Sequence, residues 1–146
     1  PAGMFAQTSM RVEKGFCAMG HELDGDVTPV EAGLDFATRK IGGFIGAEAL
    51  AARRAKGPSS QVVSLILDDE NAVPLGHEPI YLDGKIIGKT TSAAFGYRVG
   101  KPIALGYAKG KIENGARVKV DVARQLFDAT VSIGPLYDAN SERMKG

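Results

Sequence analysis

Tryptophan is absent from this chain of 146 residues, and cysteine occurs once, at Cys17. One thiol closes no internal disulfide, so the fold has to rest on its apolar core and points to a reducing compartment. An excess of one charge is also missing. Eighteen basic against 17 acidic side chains leave a formal net charge of +1, and their interspersion forms no basic stripe of the kind that tracks a phosphate backbone. Nucleic acid is therefore not an expected partner. No apolar run approaches the ~20 residues that a membrane-spanning helix requires, so no membrane partner is expected either. Pro1-Ala2-Gly3 offers neither an initiator methionine nor the charged and apolar regions of a signal peptide, which reads as a piece of something longer. The expected location is cytoplasmic, or the mitochondrial matrix in a eukaryote.

What is present points to strands. With 44% hydrophobic and 24% charged residues, the chain lies within the range of ordinary globular domains, with room for one core or for one core and part of another. Nineteen glycines, against an average share of about 7%, favour turns and short strands over a helical bundle. Four turn formers in a row, Gly57-Pro58-Ser59-Ser60, mark a change of style. They divide the chain into residues 1–58 and 59–146. Before that point, Met4 to Met10 reads as the last turns of a helix that stops at Gly15. Thr28-Pro29-Val30-Glu31 has an N-cap threonine, proline at the first helical position and glutamate three residues after the cap, the pattern of a capping box that opens a short helical turn. Gly46 to Lys56 is rich in alanine and followed by Gly57 as a C-cap, which predicts a helix.

After Ser60 the period changes to two. Gln61 to Leu67 sets Val63, Leu65 and Leu67 on one face and Val62, Ser64 and Ile66 on the other, which suits a strand buried on both sides. Ile80-Tyr81-Leu82, Asp83-Gly84 and Lys85-Ile86-Ile87 predict a two-residue hairpin, because aspartate and glycine tolerate the positive φ of a tight turn. Ile103 to Tyr107 predicts another strand, and the alternation of Ala116, Val118, Val120 and Val122 a further one, with Leu126 to Ile133 returning beside it. The expected class is α+β, with a short helical and strand segment followed by an antiparallel sandwich or barrel of about six strands.

Several motifs fail on spacing. Gly84 to Thr90 resembles a phosphate loop but has three residues between its glycines where four are needed, and it lies in a hairpin. Gly42-Gly43-Phe44-Ile45-Gly46 lacks the first glycine of a dinucleotide fingerprint, which argues against flavin or nicotinamide binding in this segment. Glu22, Asp24 and Asp26 resemble the start of a calcium loop, yet Pro29 and Asp35 occupy the positions that need glycine and glutamate, so an exposed acidic loop is expected. His21, His77 and Cys17 contain no C-x-x-C or H-x-x-x-H pair, so no metal site is expected, and Cys17 reads as a small packed residue. No G-x-S-x-G elbow presents a nucleophile.

The first forty-six residues carry a resemblance. Met10-Arg11-Val12-Glu13-Lys14-Gly15 matches the R-[LV]-E-[AK]-G segment of the glycine-cleavage T-protein (aminomethyltransferase) family. Gly20-His21-Glu22-Leu23, Thr28 to Leu34 and Phe44 to Leu50 follow in that family's order. The glutamate-lysine-glycine form is most similar to the dimethylglycine and sarcosine dehydrogenase branch. Thr91 to Tyr97, Gly100 to Tyr107 and Pro135 to Asp138 resemble the family's C-terminal barrel and its ending.

The resemblance implies that residues 1–58 end a folate-binding aminomethyltransferase domain and that residues 59–146 form the T-protein C-terminal β-barrel. It also implies transfer of a one-carbon unit to tetrahydrofolate held between domains. The family's acid-base aspartate falls upstream of Arg11, so no catalytic residue is assigned within this chain, and FAD belongs at most to an N-terminal domain. The expected partners are folate and the preceding part of the same polypeptide, with self-association left open. Glu13 is the leading folate-binding candidate, since an ionised carboxylate accepts the parallel N3–H and 2-amino donors of a pterin; otherwise it is a solvated charge at a helix end. Arg11 reads either as a ligand or as an ion-pair partner. Phe5 stands at a ring-bearing position and either stacks on the pterin or packs in a core. Arg39 and Lys40 could meet the glutamyl tail of folate or form a solvated basic loop, and Tyr97 is a further candidate for the pocket wall. Other readings kept open are a stand-alone β-barrel interaction module, a folate-dependent demethylase, and an iron-sulfur assembly relative. Phe16 standing between Gly15 and Cys17 weighs against the last.

Overall fold

The computed structural model describes residues 1–145. Helices α1 (Met4–Glu13) and α2 (Ala47–Lys56) precede strands β1 (Ser60–Leu67), β2 (Pro79–Leu82), β3 (Lys85–Gly96), β4 (Lys101–Lys109), β5 (Arg117–Val122) and β6 (Gln125–Ser132), and a short helix α3 (Glu142–Lys145) follows. No helix among the described residues is long and apolar enough to cross a membrane. The strands close into one antiparallel barrel in the order β1-β4-β3-β2-β5-β6, with β1 and β6 joined from Ser64 opposite Ser132 to Leu67 opposite Ala129. The α+β expectation holds, and of the two sheet arrangements considered the barrel is the one formed.

Alternation along the strands fills the interior. Val63, Leu65, Leu67, Ile80, Ala104, Val118, Val120, Ala129 and Val131 are buried together in one cluster. β4 is buried on both faces: its Ala104 and Ala108 belong to the interior, whereas Ile103 and Leu105 turn outward and pack with Val12 of α1. That second contact seats α1 on the outside of β3 and β4. The β3–β4 pair is close enough to demand glycine. A Cβ on Gly88 would stand 1.8 Å from the Tyr107 carbonyl oxygen, and one on Gly106 would stand 2.6 Å from that of Lys89. The stretch that imitates a phosphate loop is therefore the hairpin and first half of β3.

Both two-residue hairpin turns, β2–β3 and β5–β6, use left-handed backbone. Asp83 and Gly84 have φ of 49° and 75°, as expected, but Ala123 and Arg124 adopt 51° and 69° without any glycine. Thr28 to Leu34 makes a single turn closed by Ala32 N–H to Thr28 O at 3.0 Å. Its capping box forms: the Thr28 hydroxyl and amide both donate to Glu31 Oε2, at 2.8 and 3.1 Å. The Glu31 Oε1 accepts from Ser59 Oγ at 2.5 Å, and its carbonyl accepts from the Val62 amide at 3.0 Å. This buried side chain thus fastens the N-terminal segment to the entrance of the barrel.

Candidate functional site

Helix α1 organises the candidate residues. It ends in a Schellman arrangement, with the Gly15 amide donating to Val12 O and the Phe16 amide to Arg11 O, while Gly15 takes φ of 67°. This stop places Arg11, Glu13 and Lys14 in the last turn, against β3 and the C-terminal segment.

Glu13 is only 3% exposed, so it is not a solvated charge. Its Oε1 accepts from the amides of Arg98 and Val99 at 2.6 and 3.1 Å. Its main-chain carbonyl accepts from the amides of Leu136 and Tyr137 at 2.9 and 3.1 Å. Glu13 therefore joins α1, the β3–β4 turn and the C-terminal segment. Two amide donors fill the acceptor capacity of Oε1, and Oε2 accepts no hydrogen bond among the described residues. A contact using both carboxylate oxygens equally, as expected from sequence, is thereby reduced to one available oxygen.

Arg11 is bound at both ends of its guanidinium. Nη1 donates to Glu22 Oε2 at 3.1 Å and to Phe16 O at 3.3 Å, and Nη2 donates to Ser92 Oγ at 2.6 Å. The ion-pair alternative is the arrangement observed. Glu22 is fully buried and also accepts from Thr91 Oγ1 at 2.7 Å and from the Ala18 amide at 3.0 Å. This corrects the expectation of an exposed acidic loop: Asp24 and Asp26 are exposed, but Glu22 turns inward to neutralise Arg11. Burial alone raises the Glu22 carboxyl pKa, but hydrogen bonds from Ser92, Thr91 and Ala18, together with the Arg11 charge, hold it below its ordinary value. The Tyr107 hydroxyl donates to the Glu22 carbonyl at 2.9 Å, and burial pushes that phenol upward. Sequence reading assigned no site role to Thr91 or Ser92, whose partners Glu22 and Arg11 lie 69 and 81 residues away.

The five predicted ligands divide among three openings. Glu13 and Arg11 line a hollow of about 550 Å³ with Lys14, Phe16, Arg98 and Tyr137. The Arg98 guanidinium lies 5.9 Å from the Tyr137 ring centre, and Lys14 pairs with Asp138 at 3.2 Å. Phe5 and Tyr97 instead line an apolar cleft of about 660 Å³ on the other flank of α1, with Ser9, Val73, Leu75 and Phe95. The 3.6-residue period accounts for the division, since Phe5, Thr8 and Ser9 share one flank and Gln7, Met10 and Lys14 the other. Phe5 is 95% exposed and packs in no core. Arg39 and Lys40 border a third opening beside the start of α2, with Ile41, Phe44 and Ile45. There Lys40 and Arg54 pair with Asp35, each at 2.7 Å, and hold its carboxyl at about 2.

Comparison with known proteins accords with this architecture. Residues 61–138 match the family described as the glycine cleavage T-protein C-terminal barrel domain, and residues 1–41 match the GCVT N-terminal domain. The mitochondrial dimethylglycine dehydrogenase of Rattus norvegicus is 36% identical over 137 residues, which cover 92% of this chain and 16% of that protein. A probable aminomethyltransferase of Natronomonas pharaonis is 36% identical over 142 residues, 94% of this chain and 39% of that protein. The crystal structure of the glycine cleavage system aminomethyltransferase T from Bartonella henselae superposes with a TM-score of 0.83 at 29% identity, covering 92% of this chain and 38% of that one. The chain thus spans about a sixth to about two fifths of the length of these relatives.

Proposed function

The chain belongs to the glycine cleavage T-protein family, and on that premise we propose that it is the C-terminal part of a tetrahydrofolate-dependent one-carbon-transfer enzyme and supplies one wall of its folate site. The observation that carries this reading is the state of Glu13. A buried carboxylate has one oxygen fixed by two backbone amides and the other without a hydrogen bond, in a side chain that lines an open hollow. No buried side-chain oxygen among the described residues lacks a hydrogen-bond partner, so Oε2 is open to the hollow, where an N–H donor of a pterin edge would make a charge-assisted contact with it. Tetrahydrofolate, when bound, accepts the one-carbon unit. This chain's part is to orient it, with Glu13 gripping the pterin and the Arg11–Glu22–Ser92 network keeping the end of α1 in register. The proton-transferring group and the contacts to the amine donor belong to the remainder of the enzyme. In a dehydrogenase-type parent, flavin would also lie there.

The geometry sharpens the test. Glu13→Gln keeps a carbonyl oxygen to accept from Arg98 and Val99 but places an amide donor where Oε2 stood, opposite another donor. Glu13→Ala removes both functions. In the longest polypeptide that carries this segment, loss of a charge-assisted contact should cost about 1.5 to 3 kcal/mol, roughly tenfold to a hundredfold in tetrahydrofolate affinity. Calorimetric titration measures the affinity, and circular dichroism verifies folding. Unchanged affinity in well-folded Glu13→Gln protein would remove Glu13 from the site and leave the folate reading without support.

A further inference from the structure

The cations around the Glu13 hollow are not equivalent. Arg11 commits its guanidinium to Glu22, Phe16 and Ser92, and Lys14 commits its ammonium to Asp138. Arg98 and Arg143 also line the hollow, and neither guanidinium has an ion pair or a hydrogen-bond acceptor among the described residues. Of these two, only Arg98 is tied to Glu13, through its amide on Oε1 at 2.6 Å. A Cβ on Gly96 would stand 3.1 Å from the same oxygen, so the β3–β4 turn is closed over it. The Arg98 guanidinium lies 5.9 Å from the centre of the Tyr137 ring, and the Tyr137 amide donates to the Glu13 carbonyl at 3.1 Å. Attraction between the cation and the ring face gives this exposed side chain a preferred position beside the hollow.

With one carboxylate oxygen engaged by the turn, Glu13 offers a ligand a single acceptor, and the neighbouring guanidinium offers donors. Such a pair complements an amide edge, in which an N–H and a C=O lie side by side, and not an edge of two parallel donors. In a pterin that edge is N3–H and O4. We propose that Arg98 is a second pterin-binding residue of this site, its guanidinium donating to O4 while Glu13 Oε2 accepts from N3–H, so that the two select a 4-oxo ring over a 4-amino one. The proposal rests on the folate reading of the hollow and adds to it the direction in which the ring is read. A 4-amino ring fails at both groups: its N3 has no hydrogen for Glu13, and its amino group turns donors toward the donors of Arg98. Arginine suits this position because it stays charged and presents its donors in a fixed plane.

Calorimetric titration of the longest polypeptide that carries this segment, with tetrahydrofolate and with its 4-amino-4-deoxy analogue, tests the assignment. Arg98→Met keeps the backbone amide that holds Glu13 and removes the side-chain donors. It should weaken tetrahydrofolate binding roughly tenfold while leaving the analogue unchanged or bound more tightly. Arg98→Lys keeps a charged donor and should retain part of the selectivity. Equal weakening of both ligands would make Arg98 a prop for the shape of the site and overturns the proposal. Unchanged tetrahydrofolate affinity in Arg98→Met protein with native circular dichroism overturns it too, as does native protein that binds the two ligands equally, a result that needs no variant to fold. Glu13→Gln protein measured alongside separates the two readings. Tetrahydrofolate binding weakened by Glu13→Gln but not by Arg98→Met removes Arg98 alone, whereas binding unchanged by Glu13→Gln removes the folate reading and this proposal with it.

Discussion

Replacing Glu31 by glutamine should loosen the N-terminal segment from the barrel in a pH-dependent way. Glu31 accepts from Ser59 through one oxygen and from Thr28 through the other, and Arg53 stands 3.9 Å away. The Ser59 hydrogen bond, working against burial and helped by Thr28 and Arg53, holds the carboxyl at about 2 instead of its ordinary 4.5. At ~1.4 kcal/mol for each tenfold change in proton affinity, the ceiling on this contribution is ~3 kcal/mol. Arg53 is one-third exposed and screened by solvent, so an effect of about 1 to 2 kcal/mol is expected. Because the folded value is depressed, the stabilisation is complete above pH 4.5 and is lost as pH falls from there toward 2. Urea unfolding of native and Glu31→Gln protein at pH 7, 5, 4 and 3 should therefore show a difference that is constant at the top of the range and shrinks at the bottom. Other carboxylates titrate equally in both proteins and cancel. A difference of the same size at pH 7 and pH 3 would refute the assignment of the effect to the Glu31 charge.

Three more outcomes are expected. Purified residues 1–146 should form no methylenetetrahydrofolate and retain no flavin, as measured by product assay and absorbance; turnover by the isolated chain would contradict the reading of it as part of an enzyme. Limited proteolysis should cut before Ser60 more readily than after it, since the later residues are tied into a closed barrel. Glu22→Ala strands the Arg11 charge and the Thr91 hydroxyl, and should cost roughly 3 kcal/mol in chemical denaturation, with Glu22→Gln milder.

Local pattern revealed most of the barrel. Alternation in β1 and β5, and the Asp83-Gly84 turn, each reflect constraints felt within a few residues, and all three elements form where expected. The β5–β6 turn was less legible because Ala123 and Arg124 take positive φ without the glycine that usually signals it; its strands were recognised by alternation alone. The site was legible to a smaller extent. Gly15 correctly ends α1, which sets Glu13 in place, but nothing near Glu13 in sequence indicates that Arg98 and Val99 will cap its carboxylate. Glu22 is indistinguishable locally from Asp24 and Asp26. Its burial is decided by Arg11 and Thr91, which only the folded chain brings together.

Ring closure has a consequence for how this segment can be combined with others. Every strand of the barrel has a neighbour on both sides along part of its length, so no strand offers a full-length open edge for another chain to extend the sheet. Whatever is joined to it must meet mainly side chains, and a side-chain surface can be remodelled by a handful of substitutions without disturbing main-chain pairing. That makes the barrel a portable terminus. It fits the occurrence of similar segments as about two fifths of an aminomethyltransferase and about a sixth of a dimethylglycine dehydrogenase, with very different lengths of chain attached.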